Sequence, residues 1–252
     1  MACVCSVSNF VFCLLKALVS GNFIKAFDFL LERSLGIGQL INSKENYRRQ
    51  TVRKGEKMKE KDFAAKVDFG GVNMGYIPGS EKVLFIKTGQ GGTIYGHENR
   101  YLDLGLRFNE RYGFSVFVSA TIEDDRESFD RDMLMLDKIF VNQSYQIYYL
   151  GVSKGGLIGM WHGAENDKIV KMATVNAPLM INYHNKTRPA IERLGDKLRM
   201  AVGSLDPSYD YTPFLKGLTK VRILDGADHN LVGLRESFFD IVEELFDIVG
   251  DL

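Results

Sequence analysis

The chain has 252 residues, 45% of them hydrophobic and 25% charged, with 32 basic side chains balanced by 32 acidic ones. That length and balance suit a soluble globular protein with one large core and exclude collagen-like, disordered and disulfide-scaffold classes. A formal net charge of zero argues against bulk electrostatic binding to nucleic acid or to an anionic membrane.

In chain order, the only cysteines come first: Cys3, Cys5 and Cys13. An odd, local cluster is a poor disulfide framework, and the nearest histidine, His97, is too distant in sequence to complete a zinc site. Reduced thiols in a cytoplasmic protein are expected, with no metal. The apolar stretch Asn9–Val19 is broken by Lys16 and falls short of the about 20 residues that span a bilayer. No positive charge precedes Phe10, as a secretory signal would require. Phe10, Leu14, Ala17 and Leu18, then Ile24, Phe27, Leu30 and Leu31, recur at helical spacing and predict two short amphipathic helices before Gly36 and Gly38. Their expected partner is the protein body or another protein; contact with a membrane surface through residues 8–35 is left open as the less favoured reading. Between Lys44 and Lys61, Arg48, Arg49, Arg53, Lys54, Lys57 and Lys59 outweigh Glu45, Glu56 and Glu60 with few apolar residues, which predicts a solvated linker or exposed helix. Tyr47 alone accompanies these charges, so nucleic acid is not an expected partner. Residues 1–61 thus read as a helical extension and basic linker, and 62–252 as one domain.

From Asp62 the pattern becomes regular. Ala64–Phe69 and Val72–Ile77 are predicted strands joined at Gly70-Gly71. Val83-Leu84-Phe85-Ile86, within Lys82–Lys87, is a short continuous apolar run, as a strand buried on both faces should be. Tyr101, Leu104, Phe108 and Tyr112 mark a helix stopped by Gly113. Phe114–Ser119 is the next strand, and Phe129, Met133, Leu136 and Phe140 the next helical stripe. Gln146–Leu150, Ile169–Val175, Leu198–Val202 and Val221–Leu224 are further strands. Lys154–Gly163 is a helix, and Leu234, Phe238, Ile241, Leu245 and Ile248 line a closing one. This alternation predicts an α/β fold with a mostly parallel central sheet and helices on both faces. Functional residues are then expected in the turns after strands.

One such turn is Gly151-Val152-Ser153-Lys154-Gly155, a G-x-S-x-G pattern between a strand and a helix. A serine exposed on so sharp a turn needs neighbours without side chains two residues away, and glycine stands at both places. A nucleophilic serine also needs a base and an orienting carboxylate. Asp206 lies just past the Leu198 strand and His229 just past the Val221 strand. Asp225 and Asp228 are rival carboxylates. Read separately, Ser153 could cap a helix, Asp206 could be a turn residue and His229 could lie exposed.

These residues and their order resemble the α/β-hydrolase family over about residues 62–252. The resemblance implies Ser153 as nucleophile, His229 as general base and acid, and Asp206 as the group that fixes the imidazole. It also implies an oxyanion hole from the backbone N–H of Lys154 and from the loop Thr88-Gly89-Gln90-Gly91-Gly92, with Gln90 as donor. Thr88 departs from the family's usual histidine and puts the geometry of that loop in question. His97 is a candidate for lining the site, whereas His162 reads as structural. The irregular stretch Asn176–Pro189, which holds His184, stands where the family inserts a lid; its shortness implies a minimal lid and an open pocket. Met180, Ile181 and Tyr183 are the expected apolar wall.

The leading expectation is a serine hydrolase cleaving a small carboxylic ester or thioester through an acyl-serine, with no cofactor and no metal. An acyltransferase using the same serine, and a non-catalytic binding or scaffold protein of the same fold, are the alternatives. The oligomeric state is not legible.

Overall fold

The computed structural model describes residues 62–69, 71–123 and 125–248. The readings made for residues 1–61 lie outside the described residues: the three cysteines, the two amphipathic helices, the membrane-surface contact and the basic linker. Within the described residues no helix is long and apolar enough to cross a membrane.

Eight strands form one sheet. They are β1 (Ala65–Phe69), β2 (Val72–Ile77), β3 (Lys82–Gln90), β4 (Ser115–Thr121), β5 (Gln146–Val152), β6 (Ile169–Val175), β7 (Leu198–Gly203) and β8 (Lys220–Leu224). Their spatial order is β1-β2-β4-β3-β5-β6-β7-β8. β1 and β2 pair antiparallel, as do β2 and β4; every later pair is parallel. Among the described residues five α-helices accompany the sheet: α1 (Arg100–Tyr112), α2 (Asp125–Ile139), α3 (Lys154–Gly163), α4 (Arg188–Leu194) and α5 (Arg235–Leu245).

Alternation along the central strands divides the core between the two faces of the sheet. In β3, Val83 and Phe85 join the cluster that holds Phe129 and Leu136 of α2, Leu157 and Ile158 of α3 and Ile191 of α4. Leu84 and Ile86 point the other way, into the cluster of Leu104 and Phe108 from α1 and Phe238 and Val242 from α5. β5 repeats the division, with Ile147 and Tyr149 on the first face and Leu150 and Val152 on the second. Both faces are therefore apolar, which is why these strands read as continuous hydrophobic runs. Each large side chain so buried stabilises the fold by about 1.5–3 kcal/mol.

The strands and helices predicted from Asp62 onward are all present, with shifts of one to three residues at their ends. β3 runs on to Gln90, with an irregularity between Lys87 and Gln90 where its pairing with β4 changes register. His97–Asn99 form a separate turn with positive φ at Glu98 and Asn99, and α1 starts at Arg100. Gly113 ends α1 with φ 70°, its N–H returning to the Asn109 carbonyl. The stretch between β6 and α4 holds one short helical segment, Tyr183–Thr187, and no large lid.

Candidate active site

The C-terminal ends of β3, β5, β6, β7 and β8 bring together residues that are far apart in the chain. Ser153 occupies the turn between β5 and α3 with φ 52° and ψ −124°, a conformation that costs on the order of 1–3 kcal/mol for a residue with a side chain. Close packing holds it there. A Cβ at Gly151 would lie 2.5 Å from the Gly156 Cα, and one at Gly155 would lie 2.2 Å from the Lys87 carbonyl oxygen. Both glycines are therefore steric requirements. The Ser153 N–H donates to the Val175 carbonyl at the end of β6 (2.9 Å), and the buried Tyr149 hydroxyl donates to the Gly155 carbonyl (2.8 Å).

Ser153 begins α3 yet makes no side-chain cap; its Oγ lies 2.9 Å from His229 Nε2 instead. His229 Nδ1 lies 2.5 Å from Asp206 Oδ2. The other Asp206 oxygen accepts from the Ser208 N–H (2.7 Å), so this carboxylate both caps the Pro207–Leu215 turn and holds the imidazole. The rival carboxylates are committed elsewhere: Asp228 Oδ1 accepts from the Asn230 and Val232 N–H groups, and Asp225 faces Ser204 Oγ at 3.5 Å.

The charges of this chain of groups are coupled. The hydrogen bond to Asp206 pushes the His229 pKa above its ordinary 6.5, and the negative charges of Asp206 and Asp228 add to this against the opposing effect of desolvation. Burial pushes Asp206 upward, but its hydrogen bonds from His229 and Ser208 together hold it below 3.8. An imidazolium formed at His229 would therefore sit beside an ionised carboxylate.

The C-terminal end of β3 passes directly over this turn, since a Cβ at Gly89 would stand 3.1 Å from Ser153 Cβ. Thr88, which replaces the expected histidine, is fully buried and ties this end of β3 to β4: its carbonyl accepts from Thr121 Oγ1 (2.5 Å) and its Oγ1 from the Thr121 N–H (3.3 Å). A cleft of about 600 Å³ opens beside Ser153 and His229, lined also by Gln90, His97, Arg100, Tyr101 and Leu231. Gln90 and His97 thus reach the same cleft as Ser153 and His229. Lys154 heads α3, its ammonium 2.8 Å from Asp125.

Met180, Ile181 and Tyr183 do not line this cleft, contrary to their expected role as its apolar wall. Tyr183 is buried and packs edge-on against Tyr211, with ring centroids 5.2 Å apart, while Ile181 is exposed. The cleft opens instead beside the end of β3 and the residues that follow it, with Gln90, Gly92 and Thr93 in its lining. His162 sits in α3 beside the Phe129 ring, and burial lowers its pKa; His184 packs on Tyr183. Among the described residues no group of three or more histidine, cysteine, aspartate or glutamate side chains could hold a metal ion.

Two features were missed at the sequence level. Asn176, the residue after β6, is fully buried with φ 49°. Its Oδ1 accepts from the Gly203 N–H (2.8 Å), and its Nδ2 donates to the Asp228 and His229 carbonyls (3.0 Å each). It therefore ties the loops that carry Asp206 and His229 to the end of β6. An asparagine, a residue type that tolerates positive φ, directly after a predicted strand was the available signal. The second is a sealed cluster behind the Ser153 turn: Lys87 Nζ bonds Asp132 (2.7 Å), Ser128 (2.6 Å) and Ser119 (2.9 Å), with no side chain exposed.

No family model matches the chain, and no curated protein matches it in sequence. Solved structures do. Est1E from Butyrivibrio proteoclasticus is 17% identical, with a TM-score of 0.57 over 73% of this chain and 97% of its own. A dienelactone hydrolase from Anabaena variabilis is 14% identical, with a TM-score of 0.54 over 73% and 95%. An α/β serine hydrolase without lid from Xanthomonas campestris is 13% identical, with a TM-score of 0.52 over 72% and 90%. With this strand order, helices on both faces and these structural neighbours, the chain has the α/β-hydrolase fold, without a large lid insertion.

Proposed function

We propose that the protein is a serine hydrolase that cleaves a carboxylic ester or thioester of a small molecule through an acyl-serine intermediate. The observation that carries this reading is the unbroken path from Asp206 through His229 to the Ser153 hydroxyl, at 2.5 and 2.9 Å, ending in an open cleft. His229 Nε2 would take the Ser153 proton as Oγ attacks the acyl carbon, then donate it to the leaving alkoxide or thiolate. Asp206 would keep Nδ1 protonated and stabilise the imidazolium. Water, deprotonated by the same nitrogen, would release the acid and restore the serine. The backbone N–H groups of Gln90 and Lys154 would hold the oxyanion, with the positive end of α3 behind Lys154. No cofactor enters these steps.

Turnover of p-nitrophenyl esters of rising chain length tests the proposal and reports the depth of the cleft. The wild-type protein should favour short acyl chains, as an open cleft with little lid cannot enclose long ones. Turnover that continues undiminished in Ser153→Ala would overturn the reading.

A further inference from the structure

The cleft beside Ser153 holds a positive charge with no counter-charge among the described residues. Arg100 is only 9% exposed, and it lines the cleft. Its Nη1 donates to the Asn230 carbonyl (2.9 Å), its Nε reaches the His97 carbonyl at 3.4 Å, and its guanidinium stands 5.9 Å from the Phe238 ring centroid. None of these partners is an anion. The carboxylates on neighbouring elements are committed elsewhere: Asp103 pairs with Arg235, Glu98 faces His97 at 3.8 Å, and Asp228 accepts backbone N–H groups. Nη2 has no hydrogen-bond partner among the described residues.

A guanidinium stripped of most of its water is ordinarily matched by a carboxylate, because an unmatched buried charge is costly. Position adds to the mismatch. Arg100 is the first residue of α1, where the positive end of the helix dipole repels a cation and attracts an anion. An anionic group in the cleft would answer both charges, and the planar guanidinium suits a carboxylate above a point charge.

We infer that the cleft takes esters bearing a free carboxylate, and that Arg100 pairs with that group and so sets the substrate class. The assignment of these ligands as substrates rests on the hydrolase reading above; their binding does not. A cleft of about 600 Å³ has room for a small ester whose reacting carbonyl lies at Ser153 while its carboxylate lies at Arg100.

Calorimetric binding to the Ser153→Ala variant tests this without requiring turnover. Two ligand pairs place the charge on opposite sides of the scissile bond: monoethyl against diethyl glutarate, and 4-acetoxybenzoate against its methyl ester. In at least one pair the carboxylate member should bind about tenfold tighter or more, a preference that weakens as salt screens the charge. Adding Arg100→Gln, which keeps a donor for the Asn230 carbonyl, should shrink the preference to within about twofold, and Arg100→Lys should retain part of it. Equal binding within both pairs, a preference indifferent to salt, or one that persists in Arg100→Gln would each overturn the inference. If the Gln variant fails to fold, the salt series on Ser153→Ala alone still decides. Wild-type turnover of the neutral esters, measured in parallel, reports on the hydrolase reading separately.

Discussion

Two clusters near the C-terminal ends of the strands are assembled from similar parts and differ in their access to solvent. In the first, Asp132 accepts from Lys87 and Ser119 while Lys87 also reaches Ser128 and the Ala120 carbonyl, all four side chains fully buried. In the second, Asp206 accepts from His229, which faces Ser153, and the imidazole is 42% exposed. A carboxylate anchors both, and a basic group links it to a serine hydroxyl in each. Burial lowers the Lys87 pKa and raises that of Asp132, so desolvation works against the charges of both. A lysine ammonium surrounded by acceptors has no lone pair to offer a hydroxyl. An imidazole that ordinarily titrates at 6.5 does, and its neighbour opens on a cleft. Accessibility and the choice of base, more than the presence of a carboxylate and a serine, separate the buried strut from the site proposed to be reactive.

The two are also connected. The Lys87 carbonyl is the atom that a Cβ at Gly155 would strike, so the sealed cluster backs the turn that presents Ser153. Substitutions should therefore separate the clusters by readout. The largest effect is expected at His229→Ala, with kcat/KM falling about 10⁴-fold or more and thermal unfolding little changed. Comparable activity in that variant would erase the distinction drawn above. Lys87→Met should instead act on stability, costing about 3–5 kcal/mol by leaving Asp132 buried without its partner. The paired change Lys87→Met with Asp132→Leu should recover most of that loss in denaturant titrations. A double variant as unstable as the single one would show that the ion pair is not what Asp132 needs.

Much of this arrangement was legible beforehand, for reasons particular to each residue. Gly151 and Gly155 flank a serine after an apolar run, and steric necessity makes that pattern informative. Asp206 and His229 follow short strands, where a parallel sheet gathers its functional groups. Lys87 was not legible, because a charged residue ending an apolar run reads as the end of a strand, whereas here it is fully buried under α2. Asn176 was hidden in a stretch without periodicity, since its meaning lies in hydrogen bonds to residues 27, 52 and 53 positions away. Met180, Ile181 and Tyr183 were misplaced for a related reason: which side of a turn opens to solvent is decided by loops distant in the chain.

Asn176 provides the next smaller test. Asn176→Ala removes the ties to the Asp228 and His229 carbonyls, and a misplacement of about 1 Å at the base can cost about 10²-fold in rate. The loss should fall on kcat more than KM, since Asn176 does not line the cleft. An effect confined to KM would place its role elsewhere. The smallest effect expected is in the pH profile. Because the folded-state pKa of His229 is raised, the neutral base is lost as pH falls through a value above 6.5, and the acid limb of kcat/KM should have its midpoint there. A midpoint below 6.5 would mean that desolvation outweighs Asp206.

The most direct test of the central claim, that His229 and Asp206 make the Ser153 hydroxyl reactive, is labelling with a fluorophosphonate followed by mass mapping of the modified residue. The adduct should lie on Ser153, be absent from Ser153→Ala and form far more slowly in His229→Ala. An adduct on another residue, or an unmodified Ser153 in folded wild-type protein, would contradict the account.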